Sequence, residues 1–408
     1  MFNPTPFNMK FDPATAIQQL KQFGEFGGVN PSITDSATFT FLGARTMVET
    51  FEGSTEGCYL YSRHWNPMNK YLSDALAAME GTEAAWVTAS GMAAITCTIL
   101  QICNSGDHIV TSATTYGGTF AFLKNYLPKF NIEVTFVNIN NLEEVKAAIK
   151  PNTKLIYSET ISNPLLRVAD LEAVSAIAKA HNLKFVVDNT FAPMMISPVN
   201  HGVDVVIHSL TKFINGKNDC VAGVICSTNE FINSLINVNN GTAMLLGPVL
   251  DPLRSANILK NIHTLHIRMK QHSYNAMYLA QKLNEYKQLN VNYPGLPDHP
   301  EHELIQKMFR PEFGFGGLLT IDAGSNQKAS SLMELMQSRD VGYLAVSLGY
   351  FKTLMSNSGS STSSEVPEDT QKKIGLTPGL IRFSIGLDND IENTFQIMKQ
   401  CMVELEII

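Results

Sequence analysis

The stretch that most constrains the fold runs from residue 185 to 223, FVVDNTFAPMMISPVNHGVDVVIHSLTKFINGKNDCVAG. It contains two short apolar runs, 185–187 and 203–207, each closed by polar residues. Runs this short, bounded by turn formers, read as strands buried on both faces, the pattern of a parallel sheet covered by helices. Asp188 stands at the C-terminal end of the first run, and Ser209, Leu210, Thr211 and Lys212 follow the second. In an open parallel sheet ligands gather at the carboxyl edge of the strands, so both ends should face one site.

The flanking sequence carries the same grammar. Helical patterns over 72–80, 92–102, 119–127, 142–149 and 170–180 alternate with strand patterns over 84–87, 108–111, 132–137 and 154–157. Such βα alternation predicts an α/β fold, a mostly parallel sheet with helices on both faces. Residues 1–66 read instead as a loose N-terminal arm, with at most one helix near 14–23, resting on a neighbouring subunit. A large domain is expected over 67–262, including the start of a long helical pattern at 252–286. A smaller C-terminal α+β domain is expected over 263–408, with strands at 317–321, 343–346 and 380–385 and a final helix at 389–405. The Pro/His-rich turn NYPGLPDHPEH marks a further boundary near 291–302, and SNSGSSTSS at 356–364 has the composition of a linker.

Composition narrows the function. Thirty basic and 37 acidic residues give a net charge of −7, which argues against nucleic acid or an anionic membrane as the main partner. No run approaches the roughly 20 apolar residues of a membrane span. Six cysteines lie scattered without a CxxC pair, so neither a disulfide framework nor a structural metal is expected, and the reducing cytoplasm is the simplest compartment.

An acid at one strand end, with Ser, Thr and Lys at a neighbouring one, suits a cofactor that has a ring nitrogen, a phosphate and an aldehyde. Pyridoxal 5'-phosphate has all three, and its enzymes use a lysine Schiff base and an acidic partner for the ring nitrogen. Ser90, Gly91 and Met92 lie between a strand and a helix, where backbone N–H groups cradle anions, although such a turn is commonly only a cap. Tyr116, in TTYGGTF, follows another strand and offers a ring to stack on a flat cofactor. Arg382 is the lone cation of an apolar strand, GLIRFSIG, and needs either a structural carboxylate or a substrate carboxylate. Tyr61 and Arg63 sit in the arm as a packing corner or as a phosphate clamp for a neighbouring subunit.

Taken together, YSRHWNP, SGM, TTYGGTFAFL, SNP at 162–164, VVDNTFAP, HSLTKFINGKNDCVAG, VSLGYFKTLMS and GLIRFSIG resemble the cystathionine γ-synthase/γ-lyase family, the Cys/Met-metabolism group of fold-type-I enzymes. Within it the chain is most similar to the plant-type methionine γ-lyases. The resemblance implies α,γ-elimination of L-methionine, with homoserine-ester sulfhydrylation or cystathionine synthesis and cleavage as alternatives. It implies that Lys212 carries the cofactor, Asp188 faces the ring nitrogen and Tyr116 stacks on the ring and acts as an acid. Ser90, Gly91, Met92, Ser209 and Thr211 would hold the phosphate, helped by Tyr61 and Arg63 from a partner subunit. Asn163 would lie beside the cofactor, and Arg382, Ser347 and Thr362 would bind the substrate. A homotetramer, a dimer of dimers with shared sites, is the implied assembly. Gly118 and the Asn239-Asn240 pair depart from the bacterial methionine γ-lyases, which carry Cys and Lys-Asp there; Met68 replaces a usual Thr.

Overall fold

The two apolar runs become adjacent parallel strands because both of their faces find apolar cover. The structure, a computed structural model, describes residues 11–52, 55, 57–357, 371 and 374–408. Its larger sheet comprises β1 (Ala84–Thr88), β2 (His108–Ser112), β3 (Glu133–Val137), β4 (Thr153–Glu159), β5 (Lys184–Asp188), β6 (Val205–Ser209) and β7 (Gly223–Ser227). They lie in the order β1-β7-β6-β5-β4-β2-β3, with only β7 antiparallel to its neighbours. Phe185, Val187 and Val206 pack with Leu72 and Leu76 on one face. Val186, Val205 and Ile207 pack with Ile95 and Ile99 on the other. All six strand residues are fully buried, and each such side chain contributes about 1.5–3 kcal/mol over its exposed state. The strand ends are therefore held by a rigid platform.

Helix boundaries follow the local chemistry. Asn66 caps helix Pro67–Glu80 by accepting from the Met68 N–H at 2.9 Å, proline takes the first turn, and Gly81 ends the helix at φ 78°. Ser90 caps helix Gly91–Ile102 through the Ala93 N–H at 3.0 Å. The second sheet has the order β8 (Leu318–Asp322), β11 (Leu380–Ser384), β10 (Thr353–Asn357) and β9 (Gly342–Leu344). Helices Asn326–Ser338 and Ile391–Glu404 cover it around a separate core that includes Leu332, Phe383 and Met398. Helix Leu265–Leu283 joins the two: Leu265 and Met269 enter the first core, Leu279 and Leu283 the second. The fold is α/β, a mostly parallel sheet with helices and a smaller second sheet, as the βα alternation predicts.

Several local expectations change. The pattern over 252–286 forms two helices, Pro252–Ile262 and Leu265–Leu283, broken at His263-Thr264. β7 and β10 are strands that the sequence reading passed over. Ser356 and Asn357, read as the start of a linker, are buried in β10, while 358–364 lie outside the described residues. The arm holds two helices, Pro13–Gln18 and Ala44–Phe51, not one. Among the described residues no helix is long and apolar enough to cross a membrane.

Candidate active site

The register of the larger sheet brings its acidic ends together. Glu159 and Asp188 are paired positions on β4 and β5, and Asp188 pairs with Ile207 on β6, just before Ser209. Burial pushes the Asp188 carboxyl up, while hydrogen bonds from Thr190 and the nearby His208 pull it back down. Its Oδ1 accepts the Thr190 N–H at 2.9 Å, and among the described residues no cation forms an ion pair with it. A buried carboxylate in that state invites a positively charged partner.

Lys212 follows β6 on the turn Leu210–Phe213, its Nζ donating to Ser347 Oγ at 3.0 Å. Burial, and then the charge of Arg382, lower its amine to about 8, which leaves a reactive neutral fraction at physiological pH. Arg382, in β11, is 1% exposed. Its Nη1 donates to Asn163 Oδ1 at 3.1 Å and its Nη2 to the Ser347 carbonyl at 2.9 Å, while Nε has no partner. No carboxylate pairs with this guanidinium among the described residues, so of the two readings of Arg382 the structural ion pair is absent there. Ser347 thus touches the amine with its hydroxyl and the guanidinium with its carbonyl, from a backbone at φ 110°.

The start of helix Gly91–Ile102 lies directly against the end of β6. A Cβ added to Gly91 would sit 2.8 Å from the Ser209 Cβ and 3.1 Å from its Oγ, so helix start and strand end meet here only because residue 91 has no side chain. The Ser90 hydroxyl is taken by its cap, leaving the first N–H groups of the helix without intrahelical acceptors. The Thr211 hydroxyl accepts the Ala222 N–H at 3.1 Å. Tyr116 is half-exposed over this region, and a Cβ on Gly118 would meet its ring at 2.7 Å, with the Met92 sulfur 3.4 Å away. A cleft of about 570 Å³, lined by Thr211, Asn218, Cys220, Arg254, Val346 and Ser347, opens the site to solvent.

Two of the sequence-derived residues lie elsewhere. Tyr61 is half-exposed, and Arg63 donates to the Met244 carbonyl at 2.8 Å; no hydrogen bond joins either to the Lys212 site among the described residues. Thr362 lies outside the described residues. One residue was missed. Glu159 is buried, and its two oxygens accept the Tyr116 N–H at 2.5 Å and the Asn163 N–H at 3.2 Å. Burial and the neighbouring Asp188 raise it to about 8. Its signal was the one that revealed Asp188, an acid at a strand end. Behind β6, His208 Nε2 and Glu80 Oε1 form a buried pair at 2.7 Å.

A family model described as Cys/Met metabolism PLP-dependent enzyme matches residues 14–402. A methionine γ-lyase of Arabidopsis thaliana is 42% identical over 401 residues, covering 97% of this chain and 91% of that protein. An L-methionine γ-lyase of Fusobacterium nucleatum is 38% identical over 378 residues, 92% of this chain and 94% of its own length. Among solved structures, a putative O-acetylhomoserine (thiol)-lyase of Campylobacter jejuni superposes with a TM-score of 0.90 at 29% identity, covering 96% of this chain and all of that one; it contains N'-pyridoxyl-lysine-5'-monophosphate. A cystathionine γ-lyase of Lactobacillus plantarum complexed with L-serine superposes at 0.87 with 28% identity over 98% of this chain and all of its own.

Proposed function

The chain belongs to the Cys/Met-metabolism family of PLP-dependent enzymes, and from that premise we propose that it is a lyase converting L-methionine and water to methanethiol, 2-oxobutanoate and ammonia. The observation that carries the substrate class is the pairing at Ser347. One residue touches an amine of lowered basicity and a buried guanidinium without a carboxylate, the two groups an α-amino acid needs. The sulfur substrate follows from the relatives named methionine γ-lyase in a plant and in bacteria.

Pyridoxal phosphate fits the residues present. Asp188 is a largely buried carboxylate without a cationic partner among the described residues, Gly91 lets the N–H groups of the helix start come against Ser209 where a Cβ would collide, and Lys212 offers an amine without a carboxylate partner among the described residues. Lys212 would hold the cofactor's aldehyde carbon, Asp188 its ring nitrogen, and Gly91, Met92, Ser209 and Thr211 its phosphate, with Ser90 fixing the helix start and Asn163 and Tyr116 beside the ring. The bound cofactor supplies an electron sink for the pair left when the α-proton departs. Arg382 grips the substrate carboxylate bidentately and sets the α-carbon toward Lys212. Lys212 accepts the α-proton, gives it up again, and as the regenerated neutral amine accepts a β-proton; its low basicity favours that release. The Tyr116 hydroxyl gives a proton to the departing thiolate. Asp188 stays ionised beside the ring nitrogen, whose charge offsets the cost of burying it.

Tyr61 and Arg63 reach the phosphate of a partner subunit in this reading, within a homotetramer of two dimers. Supporting it are fully exposed apolar side chains along the arm, Phe26 and Leu42, and the exposed Leu245 and Leu246 near the arm's Arg63 contact. Thr362 joins the substrate side of the site. The six cysteines are all unpaired, as suits the cytoplasm. A second reading, γ-replacement on an acylated homoserine, is favoured by the open cleft, which admits a second reactant, and by the O-acetylhomoserine (thiol)-lyase neighbour. Incubation with O-acetylhomoserine plus sulfide, against methionine alone, separates the two. Release of 2-oxobutanoate from methionine exceeds homocysteine formation if elimination is the main reaction, and the reverse ratio assigns the chain to replacement.

A further inference from the structure

Lys212 is tethered through a chain that does not end at Ser347. The Ser347 hydroxyl donates to Asn218 Oδ1 at 3.2 Å, which turns its remaining lone pairs toward the Lys212 ammonium at 3.0 Å. Asn218 and Ser347 are both non-glycine residues at positive φ, 52° and 110°, and they face each other between the larger sheet's domain and the second sheet's domain. Backbone of this kind is costly and persists where the surroundings enforce it. The enforcement is visible. Asp219 accepts the Asn215 Nδ2 at 2.7 Å, Asn215 accepts Asn261 Nδ2 at 2.8 Å, and the Gly216 N–H returns to the Lys212 carbonyl at 2.8 Å. Arg268 holds the carbonyls of Phe213 and Ile214. The loop that presents Asn218 is thus fixed to the same turn that presents Lys212.

We propose that Asn218 is a positioning residue for Lys212: its carbonyl oxygen sets the Ser347 hydroxyl so that it accepts from, and never donates to, the amine. A hydroxyl free to rotate would donate to the neutral amine and occupy the lone pair that must take a proton. This extends the pyridoxal-phosphate reading of the site and rests on it. Of the charged groups, Arg382 from β11 acts on the amine, and Asp219, Cys220 and Arg254 line the cleft together with Ser347. Among the described residues none of them accepts a hydrogen bond from the Ser347 hydroxyl; Asn218 does.

Two variants test it. Asn218→Gly suits the positive φ while deleting the acceptor, and Asn218→Asp keeps the acceptor and adds a negative charge. The full chain is stripped of cofactor, and its rate of recapturing pyridoxal phosphate is followed by absorbance across pH. Capture needs the neutral amine, so the rate should rise to a plateau with a midpoint near the Lys212 value of about 8. Asn218→Asp should move that midpoint upward by roughly one pH unit, because an added anion favours the ammonium. Asn218→Gly should lower kcat roughly 3- to 10-fold, the size of one hydrogen bond, with KM held within about twofold. Because recapture involves no amino-acid substrate, its outcome is independent of whether methionine is the substrate. Wild-type midpoints in Asn218→Asp together with wild-type kcat in Asn218→Gly, both folded by circular dichroism, would overturn the proposal. Should Asn218→Gly fail to fold, an unmoved midpoint in Asn218→Asp alone overturns it.

Discussion

The carboxyl edge of β4, β5 and β6 and the N-terminal arm differ in almost every physical respect. At the edge, Glu159 is buried and Asp188 nearly so, and Lys212 is held by named bonds within one chain. Along the arm, Phe26 and Leu42 stand fully exposed, and Arg63 donates to the Met244 carbonyl and lies over the Tyr61 ring. The edge therefore gathers its acids and its amine within a single subunit, whereas the arm presents apolar surface that calls for cover. Chemistry and assembly are divided between the two regions, and substitutions in them should fail in different ways.

The sharpest test of the edge is Lys212→Ala. It should lower turnover by on the order of 10³-fold, the scale of a lost acid–base group, while the protein stays folded. Steady-state rates and far-UV circular dichroism check both halves. Arg382→Leu should cost roughly 10- to 100-fold in kcat/KM, carried mainly by KM, since a charged hydrogen bond contributes about 1.5–3 kcal/mol. An unchanged KM for methionine in that variant would remove Arg382 from substrate binding.

On the arm, Arg63→Ala should cost roughly tenfold in cofactor affinity, measured by equilibrium dialysis, and leave the monomer's secondary structure intact. A loss that is independent of protein concentration would argue against the shared-site arrangement. Glu159→Gln should lower stability by about 1–3 kcal/mol, read from urea unfolding, because the amide NH₂ would face one of the two N–H donors it now accepts from.

The smallest effect concerns pH. Burial depresses Lys212 from 10.5 to about 8 in the folded, cofactor-free chain. Between those values the unfolded chain binds the extra proton, so stability rises with pH across that window and the gain is complete above the unfolded value. Melting temperatures of the cofactor-free protein, compared with Lys212→Met, should show that slope only in the parent.

The strand-end logic found Asp188 and Lys212 because pure apolar runs announce buried strands. It missed Glu159 because KLIYSE mixes polar with apolar residues, and the strand read over 154–157 runs on to Glu159. The strand β7 escaped because GVICS begins on the last glycine of the HSLTKFINGKNDCVAG motif, and it runs antiparallel beside β6, outside the βα alternation. Contacts across long separations were beyond the reach of pattern altogether. Glu80 meets His208 and Asn218 meets Ser347 over separations of 128 and 129 residues. Only the fold supplies such neighbours. Likewise, the solitary cation of GLIRFSIG leaves open whether Arg382 has a structural partner; burial without a carboxylate among the described residues is what the structure adds.

The most direct test of the account is the product ratio from L-methionine. Purified protein supplied with pyridoxal phosphate should release methanethiol, 2-oxobutanoate and ammonia in equal amounts, with one water consumed. Absence of any 2-oxoacid from methionine, homocysteine and cystathionine alike would contradict it.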